Sequence, residues 1–274
     1  MPTQSASTMT APLVRALARP KVLATACIAV LTAAGWAYLG LLVAGMSGAG
    51  WFQALCQPAF GSDAGSAGQD ALVLTMWCAM AFAMMLPTAG PMILTYAEIA
   101  ETAASKGEPA ASPLVLIAGY LVVWLGAACA LAALQLLLTR LAVIDPAMAA
   151  ASPLFSGAAF IAAGLYQFSA LKHACVTQCQ NPFRFFFGNW TSEPRKVFRL
   201  GVTQGLYCLG CCWAMMALMF AVGVMNVIWM AVLGAVMAIE KIGATTRFSR
   251  ALGVVFLIVG AAFIVTSVLA RWPV

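Results

Sequence analysis

Residues 112–138 read SPLVLIAGYLVVWLGAACALAALQLLL, and this uncharged run decides the fold class. A stretch of roughly 20 apolar residues is long enough to cross a hydrocarbon core of about 30 Å as a helix. In lipid each backbone amide needs a hydrogen-bond partner within its own segment, and an α-helix provides one. The run therefore predicts a transmembrane helix.

The composition of the whole chain agrees with this prediction. Of its 274 residues, 64% are hydrophobic and only 8% are charged, and the mean hydropathy is +0.97. Soluble domains carry about 25% charged residues, so a soluble enzyme is excluded and an all-α polytopic membrane bundle is expected. No basic patch is interleaved with aromatic residues, so the expected surroundings are the lipid bilayer and not nucleic acid.

Seven apolar segments can be drawn along the chain. We expect a cytoplasmic segment at 1–21, followed by one transmembrane helical domain over 22–274. Residues 172–200 form the largest inner loop, and the fifth and sixth segments meet at Gly223 as a tight hairpin. The segments are 22–45, 71–97, 112–138, 152–171, 201–222, 224–240 and 250–270.

The basic residues predict which way the bundle faces. With the N-terminus inside and seven spans, only Arg140 and Arg271 of the 14 Lys and Arg residues fall outside. An excess of Lys and Arg in cytoplasmic loops is the rule for membrane proteins, so the predicted topology is N-in and C-out. The first segment is expected to act as an uncleaved signal, the alternative being cleavage near Ala33 and Ala34.

Five of the nine cysteines cluster towards the predicted inner side. Thiols there stay reduced, so ligand or redox roles are favoured over structural disulfides. The other four are scattered singly, which is typical of small apolar fillers. The clustered residues are Cys175, Cys179, Cys208, Cys211 and Cys212, and the scattered ones are Cys27, Cys56, Cys78 and Cys129.

Soft side chains line one face of the fifth segment. At 100° per residue they fall within about 100° of arc and rise about 16 Å along the helix. Thiolates and thioethers select Cu(I), with Zn(II) as an alternative at an all-thiolate site, while apolar core packing is the plainer explanation. This Cys/Met ladder consists of Cys208, Cys211, Cys212, Met215 and Met219.

The inner loop holds a second group of candidate ligands. His173, Cys175 and Cys179 are predicted to exchange metal at the inner mouth of the bundle. If the fourth helix continues past residue 171, Cys175 and Cys179 share a face through their i, i+4 spacing. Glu240 either pairs with Lys172 or neutralises a bound cation.

The second segment carries a methionine strip followed by two prolines. Met76, Met80 and Met84 follow i, i+4 spacing and are a candidate relay, with core packing as the alternative. Pro87 and Pro91 lack backbone N–H groups, so they are expected to kink the helix and free carbonyls near residues 83 and 87.

Several of these motifs resemble a bacterial family of predicted metal-binding integral membrane proteins of unknown function. The resemblance covers about residues 75–265 and implies a multi-pass protein of the bacterial inner membrane. It rests on Ala83-Met84-Met85-Leu86-Pro87, Lys172-His173-Ala174-Cys175 with Cys179, Gly205-Leu206-Tyr207-Cys208-Leu209-Gly210-Cys211-Cys212-Trp213, Gly223-Val224-Met225-Asn226 with Trp229, and Glu240-Lys241.

Three functions remain open at this point. The first is a membrane protein that binds a soft metal, Cu(I) before Zn(II), and transports it or delivers it to a metallochaperone or apo-metalloenzyme. The second is a thiol-redox protein, since Cys208 and Cys211 have the spacing of exchanging dithiols. The third is a metal-free structural or assembly subunit. Metal transfer is expected ahead of enzymatic catalysis.

Overall fold

The computed structural model describes residues 19–44, 67–141, 152–223, 226–243 and 245–269. The regular structure in these ranges is helical throughout, with no strand among them, so the all-α prediction is confirmed. Residues 1–18, Cys56 and Met225 lie outside the described part, so most of the predicted N-terminal segment 1–21 is not described.

Twelve α-helices and one π-helical turn make up the described chain. Their bounds are Pro20–Ala44 (α1), Ala67–Met80 (α2), the π-helix Ala81–Met85, Leu86–Thr88 (α3), Gly90–Ser105 (α4), Pro113–Arg140 (α5), Pro153–Gln167 (α6), Ala170–Gln180 (α7), Pro182–Asn189 (α8), Pro194–Ala217 (α9), Met219–Val222 (α10), Val227–Ile242 (α11) and Thr246–Leu269 (α12).

Five helical stretches are long and apolar enough to cross a membrane. A sixth arises if α6 and α7, which meet at 64°, count as one bent span. The remaining predicted segment is α11, whose 16 residues extend about 24 Å. Each of the seven predicted segments is therefore helical, while their number as full spans and their orientation stay predictions. The five stretches are Pro20–Leu41, Asp70–Thr88, Pro113–Arg140, Pro194–Val222 and Thr246–Leu269.

The second segment breaks where the two prolines predict it. The π-helix replaces one α-helical turn immediately before Pro87, and the chain resumes as α4 at Gly90. Because Pro87 has no N–H, the carbonyl of Ala83 loses its helical donor. The indole Nε1 of Trp36 on α1 donates to that carbonyl over 3.1 Å. The freed carbonyl at residue 83 is thus satisfied by the protein.

Helices α10 and α11 flank the predicted hairpin turn at Gly223, of which residues 224–225 lie outside the described part. Gly223 ends α10 with a φ of 96°, in the left-handed region that favours glycine. The side-chain oxygen of Asn226 then accepts from the N–H of Trp229 over 3.2 Å and caps α11.

Glycines bring the backbones of α6 and α12 into close contact. A Cβ at Gly157 would lie 2.9 Å from the carbonyl oxygen of Gly260, and one at Gly260 would lie 2.8 Å from that of Gly157. About two helical turns further along α6, a Cβ at Gly164 would lie 3.0 Å from the carbonyl oxygen of Gly253. Small residues that allow such approach are typical of helix contacts in membranes. These contacts hold α12 against the span that leads into α7.

Gly260→Ala is expected to destabilise the bundle by about 1–3 kcal/mol, because the new methyl overpacks a backbone contact. Gly126→Ala is the matched control, since a Cβ there meets nothing within 4 Å. Thermal unfolding in detergent should show a lower Tm for Gly260→Ala alone. Equal Tm values for both variants would contradict the close contact.

Candidate functional site

The three thiols of α9 are buried together on one face. Cys208, Cys211 and Cys212 are all at most 3% exposed. The sulfur atoms of Cys211 and Cys212 are 3.3 Å apart, and Cys208 interacts with both neighbouring thiols. Cys211 also donates to the carbonyl of Cys208 over 3.1 Å. The side chains that the helical geometry predicted to share a face therefore contact one another.

Lys241, the last basic residue of α11, points into this cluster. Its Nζ lies 2.8 Å from the sulfur of Cys208 and 2.8 Å from the hydroxyl oxygen of Thr88. It also approaches the thioether sulfur of Met85 at 4.0 Å. The side chain is only 5% exposed, so a positive charge stands against the thiol cluster inside the bundle.

Tyr120 of α5 ties the thiol cluster to the π-helix. Its hydroxyl donates to the carbonyl of Met85 over 2.9 Å and lies 3.0 Å from the sulfur of Cys208. Single π turns in helices frequently mark functional sites. Here the turn presents a carbonyl that accepts from Tyr120 and, over 2.8 Å, from Thr88. The broken second segment thereby positions two polar side chains beside Cys208.

The bend between α6 and α7 delivers the inner-loop cysteines to α9. Cys175 and Cys179 lie on one face of α7, as their i, i+4 spacing predicts. The Cys179 side chain reaches Cys211, which extends the cluster to four thiols. Cys175 packs on the backbone of Gly210, where a Cβ would lie 2.6 Å from the sulfur. Glycine at this position is what admits Cys175.

His173 lies on a different side of α7. At 100° per residue it stands about 120° away from Cys179 around the helix axis. It is half-buried, and in the described chain its side chain forms no hydrogen bond or ion pair. The structure therefore groups Cys175 and Cys179 with the thiol cluster and leaves His173 apart from it.

Glu240 pairs with Lys172, one of the two alternatives that the sequence left open. Their side chains meet at 2.7 Å and are 2% and 1% exposed. Lys172 also donates to the carbonyl of Cys211 over 2.7 Å. A buried ion pair requires this kind of additional hydrogen bonding to offset desolvation. The pair links α7, α9 and α11 directly behind the thiols.

The methionines of the ladder and of the second segment are all core residues. Met215 and Met219 are fully buried, and Met76, Met80 and Met84 are at most 2% exposed. The π-helix shifts the i, i+4 register just before Met84, because its hydrogen bonds span five residues. Met84 instead packs where α11 has Gly234. Burial here agrees equally with core packing and with a ligand role.

A small cavity adjoins the cluster. Its volume is about 20 Å³ and its lining includes Cys179, Cys208, Lys241, Tyr120 and Met92. About 10–15 Å³ on this measure holds one water molecule, so the cavity has the size of a single small ligand. A larger cavity of about 490 Å³ between α4 and α8 contains none of the predicted ligands.

The donor set suits a soft metal, although the thiols do not already enclose one. No three His, Cys, Asp or Glu side chains of the described ranges converge as a metal-binding group. Lys241 contacts the sulfur of Cys208, and the sulfurs of Cys211 and Cys212 contact each other. Thiols and thioethers are nevertheless the ligands that Cu(I) prefers.

Sequence reasoning missed Lys241, Tyr120, Thr88 and Met92 as neighbours of the thiols. Lys241 was counted as an inner surface charge, and Tyr120 lies within an otherwise apolar span. A buried tyrosine hydroxyl needs a partner, which was an available signal. Hydrophobic periodicity does not show which helix faces pack against each other, and these contacts depend on that packing.

Gly210→Ala is expected to displace Cys175, because the added methyl would occupy the position of its sulfur. Alkylation of intact protein with a maleimide, followed by peptide mass spectrometry, should show faster labelling of Cys175. Gly188→Ala serves as the control, since a Cβ there meets nothing within 4 Å. An unchanged labelling rate at Cys175 would contradict the contact.

Lys172→Met is expected to destabilise the protein by about 3–5 kcal/mol, because it leaves the Glu240 carboxylate buried without its partner. Adding Glu240→Leu should restore most of the loss in Tm. Lys196→Met is the control, since its pair with Glu193 is exposed and worth at most about 1 kcal/mol. Additive losses in the double variant would contradict a coupled buried pair.

The comparisons with known proteins point the same way as the thiol cluster. No curated protein and no solved structure matches the chain. The family model PpoB2, described as a copper chaperone, matches residues 74–263. This range contains the π-helix, α7, α9 and α11, and so all the candidate ligands. On this match the chain belongs to the PpoB2 copper chaperone family.

Proposed function

We propose that this protein is a membrane copper-delivery factor that holds Cu(I) on the thiols of α9 and passes it to a partner protein. The observation that carries the proposal is the buried contact of Cys208, Cys211 and Cys212, with Cys179 reaching the same group. Family membership supports a copper-related role. The thiols and thioethers favour Cu(I) over other oxidation states or zinc.

Delivery fits the geometry better than transport. The cavity beside the thiols has about the volume of one water molecule, which suits retention of an ion. Cys175 and Cys179 would exchange the metal at the inner mouth, with His173 at the half-exposed side of α7. Met215 and Met219, and the relay of Met76, Met80 and Met84, would accept it deeper in the bundle, while Glu240, the fourth candidate for the relay, stays paired with Lys172. A metallochaperone or an apo-metalloenzyme is the expected partner.

We further propose a multi-pass protein of the bacterial inner membrane with seven spans, N-in and C-out. This requires α11 to cross with 16 residues, near the lower limit of roughly 17. Lys172 and Lys241 are buried and not surface charges. Removing both from the count of inner basic residues still leaves a large inner excess, so the orientation proposal stands on the other residues.

The thiol-redox function is the second candidate. Cys208 and Cys211 have dithiol spacing, but both are at most 3% exposed. Reactive cysteines lie in partly exposed, electropositive surroundings. Lys241 supplies the charge here, while access for a partner thiol is lacking at both residues. This comparison favours metal binding.

The purified parent protein is expected to bind about one equivalent of copper when loaded anaerobically with Cu(I), because the thiols provide a soft donor set. A variant with Cys208, Cys211 and Cys212 changed to Ser should bind none, as measured by mass spectrometry of bound metals. The matched control changes Cys27, Cys78 and Cys129, which lie outside the α9 cluster, to Ser and should keep the copper.

Two further results separate the candidate functions. Met215→Leu with Met219→Leu should lower copper transfer to an apo-acceptor under the delivery proposal and leave a redox activity intact. Absence of copper from the parent protein after loading would overturn the proposal, and reversible oxidation of Cys208 and Cys211 would then support the redox function.

A further inference from the structure

Charged side chains are almost absent from the interior of the described bundle. Among those residues, only Lys172, Glu240 and Lys241 are buried and charged. Lys172 and Glu240 neutralise each other at 2.7 Å. Lys241 forms no ion pair with any described carboxylate, and its partners are the sulfur of Cys208 and the hydroxyl of Thr88. One positive charge is thus left over beside the thiols.

The small cavity collects soft donors from three different helices. Cys179 of α7, Cys208 of α9 and Met92 of α4 all line it. Its volume of about 20 Å³ is enough for one water molecule or one small ion. Met92 is 5% exposed and belongs to neither the ladder nor the methionine strip of the second segment.

We propose that Cys179, Cys208 and Met92 form one three-coordinate position for a monovalent soft cation, and that Lys241 determines its selectivity for that charge. The inference rests on the proposed copper-binding function and specifies where the ion sits. Cysteines bind metals as thiolates, and a thioether is a neutral ligand. Two thiolates, one monovalent ion and the Lys241 ammonium together carry no net charge.

A divalent ion in the same position would leave one uncompensated positive charge within the membrane interior. Buried unpaired charges are strongly unfavourable in proteins and in lipid. The positive charge that distinguishes this site from an ordinary thiolate site therefore disfavours Zn(II) and favours Cu(I). The buried Nε2 of Gln204, which also lines the cavity, has no hydrogen-bond partner in the described chain and can donate to a bound thiolate.

The first arm of the test changes the proposed thioether ligand. X-ray absorption of Cu(I)-loaded parent protein should show three sulfur ligands, and Met92→Leu should reduce them to two. Met230→Leu is the matched control, because Met230 is equally buried on α11 and does not line the cavity. Three sulfur ligands retained in Met92→Leu would overturn the proposed donor set.

The second arm changes the charge. Affinities for Cu(I) and Zn(II) are measured by chelator competition on the same samples. In Lys241→Leu, which removes the charge without adding a sulfur ligand, the ratio of Cu(I) to Zn(II) affinity should fall about 10- to 100-fold, a range comparable to the loss of metal affinity when a group that supports metal ligands is removed. Lys241→Arg keeps the charge and should keep the ratio. A merely structural role would lower both affinities and leave the ratio unmoved, which would overturn the inference.

The two proposals fail in different ways. If the parent protein binds Cu(I) through the α9 thiols but neither Met92→Leu nor Lys241→Leu changes coordination or selectivity, the inference fails and the delivery function stands. If the parent protein binds no Cu(I) at all, the proposed function fails and the inference fails with it.

Discussion

The contact between Lys241 and Cys208 is the interaction around which the bundle is arranged. An ammonium group that leaves water for an apolar interior needs compensating partners. Its two nearest partners come from two other helices, the sulfur of Cys208 on α9 and the hydroxyl of Thr88 on α3, each at 2.8 Å. Displacing α3, α9 or α11 would either expose the Lys241 ammonium or leave it buried without one of its partners. The positions of these helices are therefore tied to one another at the thiol site.

The broken second helix is the structural means by which those partners are supplied. At the π turn the Met85 carbonyl accepts from the backbone N–H of Ala89 and also from the hydroxyls of Tyr120 and Thr88. Trp36 satisfies the carbonyl that Pro87 frees. Within a membrane, irregular backbone is tolerated only when protein covers it or it lines a cavity. Here both conditions hold, because the turn is covered by α1 and α5 and Thr88 lines the cavity beside Cys208.

The sequence predicts the helices of this structure better than it predicts how they pack against one another. Long apolar runs identified the seven long segments, and 100° per residue placed Cys208, Cys211 and Cys212 on one buried face. The prediction of an inner loop at 172–200 was wrong, because α7, α8 and the first turns of α9 occupy most of it. The 64° bend after Gln167 has no comparable signal, yet it turns Lys172 inwards and brings Cys179 to Cys211. The burial of Lys241 likewise has no signal in the sequence. Hydropathy treats a lysine at a helix end as a surface residue, and only the packing of α11 on α3 and α9 reveals it as a buried cation.

Burial of both lysines also explains why thiols and not carboxylates form this site. A carboxylate beside Lys241 would make a closed ion pair like that of Lys172 and Glu240, with no reason to exchange its partner. A thiol is a weak acid that contacts the ammonium closely and remains available to a soft cation, for which sulfur is the preferred ligand. Under the proposed binding of Cu(I), Lys241 would keep its place as the counter-charge of the metal–thiolate group. The proposed delivery function needs a site of this kind, whose groups are hydrogen-bonded without the ion and electrically balanced with it.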